Sequence, residues 1–193
     1  MARKSGSSSE KTRPLVRSAA LSLFARYGFA AVSMRQIAAE VGVQAGALYR
    51  YTPDKQSLLF ELMQVHMEEL LAAWGEVDPK GAPLDRLDSF VRFHIHHHMD
   101  RAEAVFISYM ELRNLTPANF AVIEGLRAQY EQVLEEILNA CGAAAGDRKL
   151  TTLAVLAMLT GVNTWYREGG RLDRDAIADS YVGMVRGLIS AAA

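Results

Sequence analysis

The stretch Ser33–Lys55, SMRQIAAEVGVQAGALYRYTPDK, decides how this chain is read. Ser33 is a helix-capping residue type, and Gln36 follows at the capping-box spacing. Met34, Ile37, Ala38 and Val41 repeat on one helical face. Gly42 tolerates the left-handed conformation that stops a helix, and Val43 is an apolar plug for the turn. A second short helix is expected from Gln44 to about Arg50. Ala45, Gly46 and Ala47 give it a small leading edge, Leu48 anchors it to a core, and Pro53 ends it. Asp54 then caps the next helix, with Lys55 in its first turn. A cation is unfavourable there unless an anion faces it. Two short helices about a Gly-containing turn form a helix-turn-helix. In that motif the second helix enters the major groove and the first crosses the DNA backbone. The same spacing also fits a helical hairpin in a protein core, with Lys55 solvated.

Outward from this stretch, an amphipathic helix is expected over 13–27, with Val16, Ala19, Ala20, Leu23, Phe24 and Tyr27 on its apolar face and Gly28 at its end. It completes a three-helix domain. Residues 1–12 are polar and Ser-rich and read as a disordered tail, whose Arg3, Lys4 and Lys11 are available to nucleic acid. The net charge of −1 conceals an asymmetry. Residues 1–52 carry eight Lys/Arg against two acidic residues, a net +6, and the remainder carries thirteen basic and twenty acidic residues, a net −7. A basic head on an acidic body suits a protein whose head meets DNA; chance clustering on a solvated surface gives the same counts.

The head resembles the DNA-binding region of the TetR family of bacterial regulators. The matching pieces are ALSLFARYGF, SMRQIAAEVGV, GALY, and Lys55 followed by Leu58–Leu59, over about residues 13–62. Two departures stand out: Gln44 opens the second helix where the family often has Ser or Thr, and Thr52 lies where Phe is frequent. The resemblance implies an all-α fold of about nine helices. A tail (1–12) and a helix-turn-helix domain (13–55) precede a ligand-binding and dimerisation domain (56–193), which a helix over 56–74 links to the head. On this reading Arg35, Gln44, Ala45 and Ala47 face bases, and Ser33, Tyr49, Tyr51 and Lys55 face phosphates.

The 193 residues are half hydrophobic, enough for a packed core. No apolar run is long enough to span a bilayer, and no apolar signal core opens the chain. The single cysteine, Cys141, allows no internal disulfide. A cytoplasmic protein is expected. Helices are expected over 84–99, 101–115, 117–141 and 147–168, and from 172 to near the C-terminus. The last two alternate small residues (Ala154, Ala157, Gly161, Gly183, Gly187) with large ones. The resemblance implies that they pair with their copies, through Ala154, Ala157, Met158, Gly161, Tyr181, Met184 and Leu188, in a homodimer bound to a palindromic operator.

The body also carries bulky amphipathic residues suited to a small-molecule site: His94, Phe106, Tyr109, Met110, Arg113, Tyr130, Trp165 and Tyr166. Each is equally at home as core packing. The motifs YMELRNLTPANF and GVNTWYREGGRL resemble the C-terminal domains of TetR-type regulators tied to fatty-acid and acyl-CoA metabolism. This implies a repressor released by a small hydrophobic effector such as an acyl-CoA. No cofactor is expected, no enzyme pattern is recognisable, and no membrane partner is indicated. The alternative rests on FHIHHHMD: His94 and His98, at i and i+4, have the spacing to share a metal in a metal-responsive regulator or a helical metalloenzyme, with His66 and Glu111 as further ligand types.

Overall fold

The computed structural model describes residues 6–142 and 147–191. Among these every regular element is a helix: α1 Gly6–Tyr27, α2 Met34–Val41, α3 Ala45–Leu48, α4 Lys55–Val77, α5 Pro83–Met99, α6 Ala102–Met110, a 3₁₀ turn Leu112–Asn114, α7 Pro117–Ala140, α8 Arg148–Thr160, α9 Val162–Trp165 and α10 Arg174–Ala191. The chain forms two compact units. One comprises residues 1–66 and 103–123, the other 67–102 and 124–193.

Several boundaries differ from those read off the sequence. Helix α1 begins at Gly6, so the segment 6–12 is helical rather than a disordered tail. Extending a formed helix costs far less than nucleating one. Arg3 and Lys4, the Lys11 side chain and Gly146 lie outside the described residues. The expected 101–115 helix stops at Met110 and tightens into the 3₁₀ turn. The expected 147–168 helix breaks at Gly161 into α8 and α9, and Tyr166 leaves helical geometry. Thr164 competes with the ladder there through a local hydrogen bond: its Oγ1 donates to Gly161 O at 2.8 Å. Asp54 caps α4 as read, its Oδ1 accepting from Ser57 N, and the structure adds caps at Asp147, whose Oδ1 accepts from Leu150 N, and at Asp173, whose Oδ1 accepts from Ala176 N.

The first unit is built on Val16, Ala20, Phe24, Phe29, Val32, Ile37, Ala38, Leu48, Leu58, Leu59, Leu62 and Met63, joined by Val105, Ile107 and Ile123. The second has a continuous core from α4, α5, α7, α8 and α10, centred on Trp74, Leu87, Phe90, Val91, Leu134, Ile137, Val155, Leu159 and Val185. Trp74 meets Phe90 edge-on at 5.1 Å between ring centroids, a favoured aromatic geometry.

Candidate nucleic-acid interface and polar core

The helix-turn-helix is closed by local chemistry at each end of α2. Ser33 Oγ accepts from Gln36 N at 3.3 Å, while Ser33 N donates to Gln36 Oε1 at 2.8 Å. This is the capping box read from the sequence. Gly42 sits at φ 75°. Its N–H reaches Ala39 O at 3.1 Å and the Val43 N–H reaches Ala38 O at 2.9 Å. These are the two bonds of a Schellman stop. A single turn of α3 follows, shorter than the expected 44–50. Gly46 lowers its helix propensity, and Gln44 makes no side-chain cap bond. Tyr51 N and Thr52 N still bond back to Leu48 O, which carries the turn on past the helix. Leu48 is fully buried, as read.

Several expected DNA-facing side chains are open to solvent. Arg35 and Gln44 are exposed, Tyr49 is 58% exposed, and Ala45, Ala47 and Tyr51 are half-buried. Among the described residues no ion pair or hydrogen bond engages the Arg35 or Arg50 guanidinium. Other basic residues of the head are spent internally: Arg13 and Arg17 both pair with Glu61. Ser33 also donates its hydroxyl to Gln36 Oε1 at 2.8 Å, so its expected phosphate contact competes with its cap.

Lys55 needs correction. Its ammonium, expected on a phosphate, donates to Phe29 O and Val32 O, each at 2.7 Å. It also lies 4.2 Å from the Phe29 ring centroid. Two of its three donors are therefore committed to the loop before α2. Burial lowers the Lys55 pKa, and the Glu111 carboxylate opposes that shift. Backbone oxygens and a buried glutamate supply the compensation that the sequence reading sought in a phosphate.

In the second unit, the structure brings His94 and Tyr130 together inside the apolar core. His94 Nδ1 lies 3.1 Å from Tyr130 Oη and its Nε2 lies 3.1 Å from Thr160 Oγ1. Thr160 was not foreseen, because its spacing from His94 is visible only once α5 and α8 pack. Trp165 is 49% exposed, and Tyr166 is half-buried against the core. The remaining expected pocket residues, Phe106, Tyr109, Met110 and Arg113, belong to the first unit and are exposed. Val105, Ile107, Ser108 and Glu111 occupy the buried side of α6 and its 3₁₀ extension, and the helical period turns the others outward. An open depression of about 410 Å³ lies beside Gln132, Glu135, Glu136, Asn139 and Lys149, and its polar lining does not suit a hydrophobic effector.

Among the described residues no group of three or more His, Cys, Asp or Glu is placed to hold a metal ion. His94 and His98 instead stack as rings. Glu111, a suggested extra ligand, accepts a backbone bond from Phe29 N at 3.1 Å. No described helix is long and apolar enough to cross a membrane.

Residues 16–62 match the tetR family of bacterial regulatory proteins, and residues 80–189 match the tetracyclin repressor-like C-terminal domain. The chain belongs to the TetR family. This TetR-family chain is 27% identical over 182 residues to the HTH-type transcriptional repressor KstR2 of Mycobacterium tuberculosis, covering 89% of each chain. A tetR-family regulator from Rhodococcus RHA1 shares the fold at a TM-score of 0.86 and 30% identity, covering 93% of this chain and 97% of that one. AibR, solved with isovaleryl coenzyme A and operator DNA, aligns at a TM-score of 0.82 and 26% identity over 90% of this chain and 97% of its own. KstR2 is named a transcriptional repressor; the chain is a helix-turn-helix transcription regulator, not an enzyme.

Proposed function

We propose that this TetR-family regulator is a homodimeric repressor that binds a palindromic operator and leaves it when a small hydrophobic acyl-CoA binds the body. The observation that carries the DNA part is the capped α2–Gly42–α3 motif, with Arg35, Gln44, Tyr49 and Arg50 exposed on it. Base contacts are assigned to Arg35, Gln44, Ala45 and Ala47, and phosphate contacts to Tyr49, Tyr51 and Arg50. The reading head is assigned to residues 13–55, within the compact unit that also holds 56–66 and 103–123, and sensing and dimerisation to the rest of the chain. The expected location is the cytoplasm, where operator and acyl-CoA meet.

Dimerisation is supported by an exposed apolar face. On α8, Leu150 and Leu153 are exposed beside Ala154 and Ala157, and on α10 Met184 and Leu188 are exposed beside Gly183 and Gly187. Unpartnered apolar surface of this kind marks interaction sites. Met158 and Tyr181 also pack against the core and contribute only in part. A two-fold pair requires half-sites about 34–36 Å apart or a multiple of that.

The ligand class rests on the likeness to AibR, a structure of which holds isovaleryl coenzyme A together with operator DNA. Within the body, the buried trio His94, Tyr130 and Thr160 is the polar cluster assigned to such a ligand. A ligand lowers operator affinity only by its preference for the non-binding conformation. Helix α4, which contributes residues to both compact units, is the covalent route for that change. The test is selection of an operator from random duplex DNA, followed by titration with acyl-CoAs of graded chain length at fixed salt. Release by some chain lengths supports the reading; an operator that none releases removes the ligand class and keeps the regulator.

A further inference from the structure

Glu111 follows α6 and is 6% exposed, a carboxylate buried in the compact unit that also contains the helix-turn-helix. Its Oε1 accepts the Phe29 N–H at 3.1 Å. A Cβ added at Gly28 would stand 3.4 Å from the same oxygen. Its Oε2 accepts from the Asn114 side chain, and the Asn114 carbonyl accepts from the Gln56 side chain in the first turn of α4. On the other side of Phe29, the carbonyl oxygen accepts from Lys55. Phe29 thus has its N–H facing an anion and its C=O facing a cation. The oppositely charged partners come from the α6 end and the α4 start. The loop between α1 and α2 is fixed at this residue, and Ser33 begins α2 four residues later.

We infer that Glu111 is a positioning residue for DNA binding: by holding the Phe29 N–H opposite Lys55, it sets the placement of the α1–α2 loop and of the helix-turn-helix that follows. The inference rests on the proposed DNA-binding role of that motif. Glu111 itself touches no DNA. A buried N–H that loses its acceptor is costly, and here the loss falls on the segment that orients α2. Lys55 acts through the same Phe29 residue, so the two side chains work as one unit.

The experiment uses the full chain and the duplex that it selects from random DNA. Affinity is measured across a salt series, well below the melting temperature, for E111A, E111Q, K55M and the E111Q/K55M pair. E111A is expected to weaken binding about tenfold on every duplex, with the salt slope unchanged because no phosphate contact is lost. E111Q, which keeps an acceptor for Phe29 N–H but loses the charge, should weaken it less. The pair should bind no worse than K55M alone, the mark of a shared unit. Wild-type affinity in E111A, a loss that disappears on cooling in proportion to unfolded protein, or fully additive effects in the pair would overturn the inference. A salt slope lowered by about one in K55M would return Lys55 to a phosphate and overturn it as well. If the wild type selects no duplex, the DNA-binding reading itself falls, before any variant is made.

Discussion

The imidazole rings of His94 and His98 lie face to face, 3.8 Å between centroids and 12° from parallel. Both are buried, and His97 beside them is 7% exposed. For His97 the pKa is pushed down to about 4, first by burial and then by the Arg101 charge, with Asp100 opposing. The unfolded residue titrates near 6.5. Between those values the unfolded chain binds a proton that the folded chain does not. The contribution to stability is therefore complete above about pH 6.5 and lost as pH falls toward 4. The melting temperature should drop by several degrees between pH 7 and pH 5. In H97L that drop should shrink; an equal drop in both proteins would take His97 out of the account.

Gly42 and Gly46 separate stability from recognition. Gly42 is at φ 75° with open space around a would-be Cβ, so Gly42→Ala meets only backbone strain, about 1 kcal/mol. A melting point lowered by about 2–4 °C is expected. Gly46 also has open space for a Cβ but lies within helical α3. Gly46→Ala should leave melting unchanged or raise it, while weakening operator binding because the methyl occupies room needed at the base edges. Calorimetry together with binding titrations checks the pair.

Gln44 and Arg50 are expected to fail in different ways. The Gln44 side chain is not spent on capping, and an amide can bond an adenine edge in two places. Gln44→Ala should change the base preference at one position of each half-site. Arg50→Ala should weaken all duplexes alike and lower the salt slope by about one. Repeating the random-duplex selection with each variant distinguishes the outcomes.

The apolar face of α8 and α10 predicts its own disruption. Leu153 is 42% exposed and Met184 55% exposed. Neither belongs to the interior, so Leu153→Asp and Met184→Asp should leave the helical content and melting of the isolated chain nearly intact. In sedimentation both should shift the protein from dimer to monomer, and binding to a palindromic duplex should fall toward that of a single half-site. Dimers that persist in both variants would move the interface elsewhere.

Features legible in the sequence are those encoded within a few residues of each other. The Ser33–Gln36 box, the Gly42 stop, the Leu48 anchor and the cap at Asp54 each need only local spacing, and the structure has each of them. Helix type and order follow for the same reason. The breaks after Met110 and at Gly161 were harder to read, since apolar periodicity continues across both while the hydrogen-bond ladder does not.

What the sequence by itself determined was an all-helical regulator with a helix-turn-helix at residues 33–55, because capping and helical period act along the chain. What only the tertiary structure decided was where charged and polar side chains spend their bonds. Lys55 turns to Phe29 O and Val32 O, Glu111 to Phe29 N, and His94 to Tyr130 and Thr160. Those partners lie 23 to 82 positions apart in the chain. A buried polar atom must be satisfied by whatever packing brings beside it, and no local spacing announces which atom that is.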